Sequence, residues 1–167
     1  MKLRVPFGLI LLCSIAFAAD SPAQVRAAVQ REMNGYIQAM KKRDLAAIEK
    51  IILANFAPEF KDTDIKGKSS SRDETIKAMK QNVASFKSIS NASLNIVKMA
   101  VNGDKATSSE VFKLDGVVAG AGNGKTAKIS LDLAWTGTYV KRNGKWLCVA
   151  SKSTKERVLV NGKPLPN

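Results

Sequence analysis

The run Ala127-Lys128-Ile129-Ser130-Leu131-Asp132-Leu133-Ala134-Trp135-Thr136-Gly137-Thr138-Tyr139-Val140-Lys141 decides the fold. Ile129, Leu131, Leu133, Trp135 and Tyr139 fall on one parity; Lys128, Ser130, Asp132, Thr136 and Thr138 fall on the other. Side chains of an extended chain alternate between two faces, so this period of two predicts a strand with one face buried. Asn143-Gly144 follows directly and closes a hairpin onto a strand from Trp146 to about Val160. Working back, Leu94 and Ile96 alternate with Ser93 and Asn95, and that run reaches a second hairpin signal at Asn102-Gly103. Ala106 to Val118 forms the strand between, and the glycines from Gly120 to Gly124 form a connection. The C-terminal half is therefore expected to be four antiparallel strands.

Before Ser90 the period is that of a helix. Val25, Ala28, Val29, Met33, Tyr36, Ile37 and Met40 recur at three- and four-residue spacing from Pro22 to about Lys42, with Ser21 as cap and Pro22 at the first helical position. Gly35 interrupts this helix and predicts a bend or a close backbone approach. Asp44 caps a second helix bearing Leu45, Ile48, Ile51 and Ile52, which ends near Asn55. Ser71-Arg72-Asp73-Glu74 reads as a capping box opening a third helix through about Phe86. Phe56 to Ser70 shows neither period and is expected to be an ordered loop. Three helices followed by strands define an α+β protein with its helices on one face of a curved sheet.

The first eighteen residues read as an export signal: the basic start Met1 to Arg4, an apolar run from Val5 to Phe17, and the small-x-small site Ala16-Phe17-Ala18. The run is shorter than the roughly 20 residues needed to span a bilayer. Residues 19–167 are then one domain, expected in the periplasm or secreted. Loss of Lys2 and Arg4 with the signal lowers the formal charge from +13 to +11. The chain contains no histidine, which removes Ser-His-Asp and Cys-His catalysis and His-ligated metal sites. Cys13 leaves with the signal and Cys148 stands alone, so no disulfide forms within the mature chain. No cofactor and no metal are implied. Gly120 to Thr126 imitates a phosphate loop, but Ala119 stands where its first glycine belongs and a strand follows instead of a helix.

The order of elements and two strings resemble the NTF2-like superfamily, which has a cystatin-like, cone-shaped fold and includes nuclear transport factor 2, ketosteroid isomerase, and SnoaL-like and DUF4440-like exported proteins. One string is Tyr36-Ile37 followed by Asp44-Leu45-Ala46-Ala47-Ile48; the other is Thr136 to Trp146 followed by Ala150-Ser151-Lys152-Ser153-Thr154. The resemblance implies a pocket between the concave sheet face and the helices, and a homodimer formed through the sheet. Tyr36 falls where ketosteroid isomerase places its oxyanion-stabilising tyrosine, and Asp62 falls near its general base, with Glu59 or Asp64 as alternatives. The isomerase's second donor, a carboxylic acid kept neutral by an apolar site, would fall near Thr136, which cannot take that role with equal strength.

The residues expected to bind ligand are Tyr36, Phe60, Asp62, Trp135 and Thr136. Strand register is left open here: either Trp135 or Thr136 faces the helices, and the lining changes accordingly. Three functions follow. The first is an exported binding module whose pocket takes a small, largely apolar ligand. The second is an isomerase- or dehydratase-like enzyme in which Asp62 abstracts a proton and Tyr36 stabilises the enolate oxygen; against it, Tyr36 also fits the apolar stripe of its own helix. The third is a homodimeric envelope interaction protein. The basic residues, among them Lys41 to Arg43, Lys141-Arg142 and Lys152 to Arg157, read as scattered over loops and strand ends without interleaved aromatics. Nucleic acid is not expected, and contact with anionic membranes or envelope polymers is at most weak and electrostatic.

Overall fold

Three helices lie on one face of a seven-stranded mixed sheet whose strands run in the order β2 (Ser69–Ser71), β1 (Phe56–Thr63), β6 (Lys145–Val160), β5 (Thr126–Arg142), β4 (Lys105–Ala119) and β3 (Phe86–Asn102), with β7 (Lys163–Pro164) paired to β6. The computed structural model describes residues 20–119 and 125–165, so the expected signal segment and the glycine connection lie outside the described residues. The elements are α1 (Pro22–Lys42), α2 (Leu45–Asn55), β1 (Phe56–Thr63), β2 (Ser69–Ser71), α3 (Arg72–Ser85), β3 (Phe86–Asn102), β4 (Lys105–Ala119), β5 (Thr126–Arg142), β6 (Lys145–Val160) and β7 (Lys163–Pro164). Among the described residues no helix is long and apolar enough to cross a membrane.

Local chemistry sets the helix ends. The Ser21 hydroxyl accepts the Gln24 N–H while the Ser21 N–H donates to Gln24 Oε1 at 2.8 Å, a reciprocal cap. Arg43 closes α1 in the left-handed region at φ 57°, and its N–H bonds the Met40 carbonyl. Asp44 Oδ1 accepts the Ala47 N–H at 2.9 Å and starts α2. Ser71 and Glu74 form the same reciprocal cap on α3. The β5–β6 hairpin turns on Asn143 (φ 50°) and Gly144 (φ 77°), a pair of positive φ values that matches the twist of the flanking strands.

The structure corrects three expectations. The sheet is not four antiparallel strands, because residues read as a loop supply β1 and β2. β1 pairs parallel with β6 and antiparallel with β2. A register shift between Phe56 and Lys61, in a segment that also holds Pro58, breaks the alternation that would have marked this strand. β3 starts at Phe86 instead of after Ser90; shifts at Phe86/Ser88 and Ile89/Asn91 hide its first turns of the pleat. Gly35 admits no close backbone, since a Cβ there would meet only Ile51 Cδ1 at 3.9 Å, and α1 runs through it without interruption.

Two apolar clusters join the layers. In one, Ile37, Ile48 and Ile52 from α1 and α2 pack with Leu94, Phe112 and Leu114 from β3 and β4. In the other, Val25 and Val29 from α1 pack with Phe60, Ile96, Tyr139 and Cys148. α1 also seals the sheet edge. β3 ends the sheet, and Gln30 Nε2 donates to the Leu94 carbonyl at 2.7 Å while its Oε1 accepts the Ile96 N–H at 3.0 Å. One side-chain amide thus satisfies two backbone groups as a neighbouring strand would, and blunts part of an edge that invites pairing.

Candidate functional site

Register settles which side of β5 faces the helices. Leu133 pairs with Phe112, Trp135 with Glu110 and Tyr139 with Ala106, all partners on the buried face of β4. Trp135 therefore points inward, with its ring 6.4 Å from that of Phe112. Thr136 is exposed on the opposite face, which removes it from the expected site.

Along the helix-facing side the burial is uneven. Leu94, Phe112 and Leu114 on β3 and β4 are closed off from solvent, while Ile129, Leu131, Leu133 and Trp135 on β5 pack against the same cluster yet stay only partly buried. The β6 partners of Ile129 and Leu131, Val160 and Val158, are likewise only partly buried. Toward this end of the sheet the helices thus cover the β3–β4 half more completely than the β5–β6 half, although Tyr139, Trp146 and Cys148 at the other end of β5 and β6 are buried.

Between these halves sits a carboxyl group that sequence reading missed. Glu110 on β4 is 2% exposed. Trp135 Nε1 donates to its Oε2 at 2.7 Å, the Tyr139 hydroxyl donates to its Oε1 at 2.7 Å, and the Ser108 hydroxyl donates to Oε1 as well. Ser108 Oγ in turn accepts the Gly137 N–H at 3.2 Å. Gly137 is required by this arrangement, for a Cβ there would lie 2.6 Å from Ser108 Oγ and 2.7 Å from Glu110 Oε1. Burial raises the Glu110 carboxyl above the usual carboxylate range, with the three hydrogen bonds acting in the opposite direction. Burial, with Cys148 and Glu110 as neighbours, raises the Tyr139 hydroxyl as well. The signal for Glu110 was present in the parity of β4, where it shares a face with Ala106, Ser108, Phe112 and Leu114.

Asp62 lies on the same helix-facing side. Cross-strand partners run Ser108–Gly137–Ser151–Asp62 over β4, β5, β6 and β1. The Ser151 hydroxyl donates to Asp62 Oδ1. Neither Asp62 nor Glu110 takes part in an ion pair among the described residues, although Asp20, Glu49, Glu59, Asp73 and Asp132 each do. Of the alternatives to Asp62, Glu59 is committed to Arg142, and Asp64 caps the β1–β2 turn through the Lys66 and Lys68 N–H groups.

Phe60 is 2% exposed, packed in the second cluster and 4.4 Å from the Phe56 ring, which makes it core. Tyr36 packs against the first cluster, and burial alone raises its hydroxyl. Trp135 and Tyr36 thus belong to one cluster, and Phe60 belongs to the other, with Asp62 two residues beyond it on β1. Cys148 is buried, its thiol pushed up by that burial, and therefore unsuited to act as a nucleophile at neutral pH. Among the described residues no group of three or more His, Cys, Asp or Glu side chains is placed to hold a metal ion. Two surface grooves lie away from these residues: one of 640 Å³ between α1 and β3 beside Arg26 and Asn95, the other of 480 Å³ between α2 and α3 beside Leu53 and Lys77.

No family model matches the chain. No curated protein sequence matches it either. Solved structures do. A protein from Kribbella flavida superposes with a TM-score of 0.61 at 10% identity, covering 81% of this chain and 95% of that one. A type 2 hexachlorocyclohexane dehydrochlorinase gives 0.61 at 15% identity over 85% and 89% of the two chains. A nuclear transport factor 2 (NTF2-like) superfamily protein from Salmonella enterica serovar Typhimurium gives 0.56 at 16% identity over 80% and 92%. At such identities the likeness concerns backbone architecture and carries no residue roles. The α+β arrangement of three helices on a mixed sheet found in this chain is the NTF2-like fold.

Proposed function

We propose that this chain is an exported small-molecule-binding domain whose apolar hollow lies between the helices and the β5–β6 half of the sheet. One observation carries the reading: Ile129, Leu131, Leu133 and Trp135 face the helix layer but remain partly accessible, whereas Leu94, Phe112 and Leu114 beside them are closed. Uncovered apolar surface costs about 25 cal/mol per Å² relative to burial. A ligand that covers it recovers that free energy. Trp135 is the fixed member of the lining, because Glu110 holds its indole N–H and sets the ring's orientation. Tyr36 and Met33 would close the hollow from α1. Export is supported by the pattern of residues 1–18. The test is native mass spectrometry of protein purified from its own host. A retained small molecule that leaves when Leu131 is changed to Asp supports the reading; uniformly ligand-free protein counts against it.

A second reading, an isomerase- or dehydratase-like enzyme, is favoured by Asp62: a partly buried carboxylate on the helix-facing side, bound by Ser151 and in no ion pair among the described residues. Asp62 would act as base and Tyr36 as hydrogen-bond donor to the developing oxyanion. If Asp62→Asn retains the co-purified molecule but stops its conversion, the enzyme reading stands. Unchanged binding and unchanged conversion would remove Asp62 from any chemistry.

A further inference from the structure

The face of the sheet turned away from the helices carries a concentrated positive charge that the sequence conceals. Alternation along the strands sends Lys98 of β3, Lys113 of β4, Lys128 of β5 and Lys152, Lys155 and Arg157 of β6 to this face, and all six are exposed. Inward-facing and neutral residues separate them in the chain, so they read as scattered; the register gathers them. Lys113, Asp132 and Arg157 form one row across β4, β5 and β6, and Lys98, Ser109, Thr136 and Lys152 form another across β3 to β6. Among the described residues of β3 to β6, the acids on this face are Asp115 and Asp132. Asp132 is already held below the usual carboxylate range by its hydrogen bond from Lys155, with the charges of Lys113 and Arg157 adding to the effect. Over this central patch six cations and two acids leave a formal +4, and Lys105 at the end of β4 adds to it.

We propose that this helix-free face docks on the surface of an anionic lipid bilayer, its lysines and arginine meeting headgroup phosphates. The cations are spread over an area, not along a line. Three inter-strand steps give about 14 Å across the sheet, and Lys152 to Arg157 give about 17 Å along it. A planar array of phosphates meets such a spread better than a single polymer chain does. Nucleic acid is disfavoured because the described aromatic residues all belong to the two core clusters, leaving no stacking platform on this face. A second copy of the chain packed face to face would set one +4 surface against another. Ser109, Val111, Ala134, Thr136 and Thr138 lie between the cations, small or short side chains with no aromatic projecting, so attachment is peripheral and governed by salt.

The experiment is co-sedimentation of the mature chain with vesicles of phosphatidylglycerol and phosphatidylcholine, and with phosphatidylcholine alone, across a salt series. Neutralising one cation near an anionic surface is expected to weaken binding about fivefold. The triple variant Lys113→Gln, Lys152→Gln, Arg157→Gln should therefore lose about 100-fold, with circular dichroism reporting an intact fold. A second triple variant on the helix surface, Lys42→Gln, Lys50→Gln, Lys77→Gln, removes the same net charge and should retain most of the binding. Equal loss from both variants would reduce the effect to overall charge and overturn the proposal. So would equal binding to phosphatidylcholine alone, tighter salt-resistant binding to RNA or heparin, or a dimer whose formation abolishes vesicle binding.

Discussion

Replacing Glu110 with Gln isolates one buried carboxyl group, and the sign of its effect depends on pH. The side chain is 2% exposed, surrounded by Trp135, Tyr139 and Ser108, and has no ion-pair partner among the described residues. Burial outweighs the three donors, so its folded pKa lies above the unfolded value. An acid shifted in that direction contributes stability that is fully present below the ordinary Glu pKa of about 4.3 and is lost as pH rises through the folded value. Gln cannot ionise. Its carbonyl can take the Trp135 N–H while its NH2 donates to the Ser108 and Tyr139 oxygens, the same reversal at those hydroxyls that protonation of Oε1 imposes on the parent. At pH below 4 the variant and the parent should agree within about 1 kcal/mol. Above that range the variant should gain on the parent by about 1.4 kcal/mol for each pH unit up to the folded pKa of Glu110, then level off. Asp20, Glu59, Glu74 and Asp132 are shifted downward and titrate the opposite way, but they are common to both proteins and cancel in the difference. The assay is urea unfolding of both proteins at a series of pH values. A companion Glu110→Ala should lie about 3–5 kcal/mol below the Gln variant at every pH, from the cavity and the orphaned Trp135 N–H. A parent-to-Gln difference that is flat across pH would refute the reasoning.

Gly137→Ala should cost about 1–3 kcal/mol, because its Cβ would lie within 2.8 Å of Ser108 Oγ, Glu110 Oε1 and Tyr139 Cε2; denaturant midpoints and the Trp135 indole N–H resonance would register it together. Gln30→Leu removes both edge hydrogen bonds to β3 and should cost about 1–3 kcal/mol, with faster amide exchange at Ile96 and more self-association on sedimentation. Phe60→Ala should destabilise by about 3–5 kcal/mol without changing ligand affinity per folded molecule, since Phe60 is core. Thr136→Lys should leave both stability and ligand binding within error, as that side chain is exposed on the outer face.

The elements with local periodicity were legible and the long-range ones were not. β5 announces itself through Ile129, Leu131, Leu133 and Trp135 because alternation is a property of neighbouring residues. β1 is stabilised by parallel pairing with β6, some ninety residues away, through a bulge near Pro58, and nothing within Phe56–Thr63 signals that pairing. Trp135 versus Thr136 could not be assigned from one strand alone; it took the partner Glu110 on β4 to fix the face. Glu110 itself was readable by parity, but an acid on a strand is normally a solvent-facing residue, and that expectation concealed it. Lys98, Lys113 and Lys152 are far apart in the chain, and only the register of β3 to β6 collects them on one face.

The claim that rests on everything else is that the β5 side chains facing the helices form a hollow that takes a ligand. Methyl-labelled NMR of the mature chain titrated with a small apolar probe such as octanol tests it directly. The account predicts saturable shifts at the methyl groups of Ile129, Leu131 and Leu133 and at the Trp135 indole N–H, with Leu94 and Leu114 unmoved. Shifts confined to Met99 beside the α1–β3 groove or to Leu53 and Ile76 beside the α2–α3 groove, or no saturable shift at all, would contradict it.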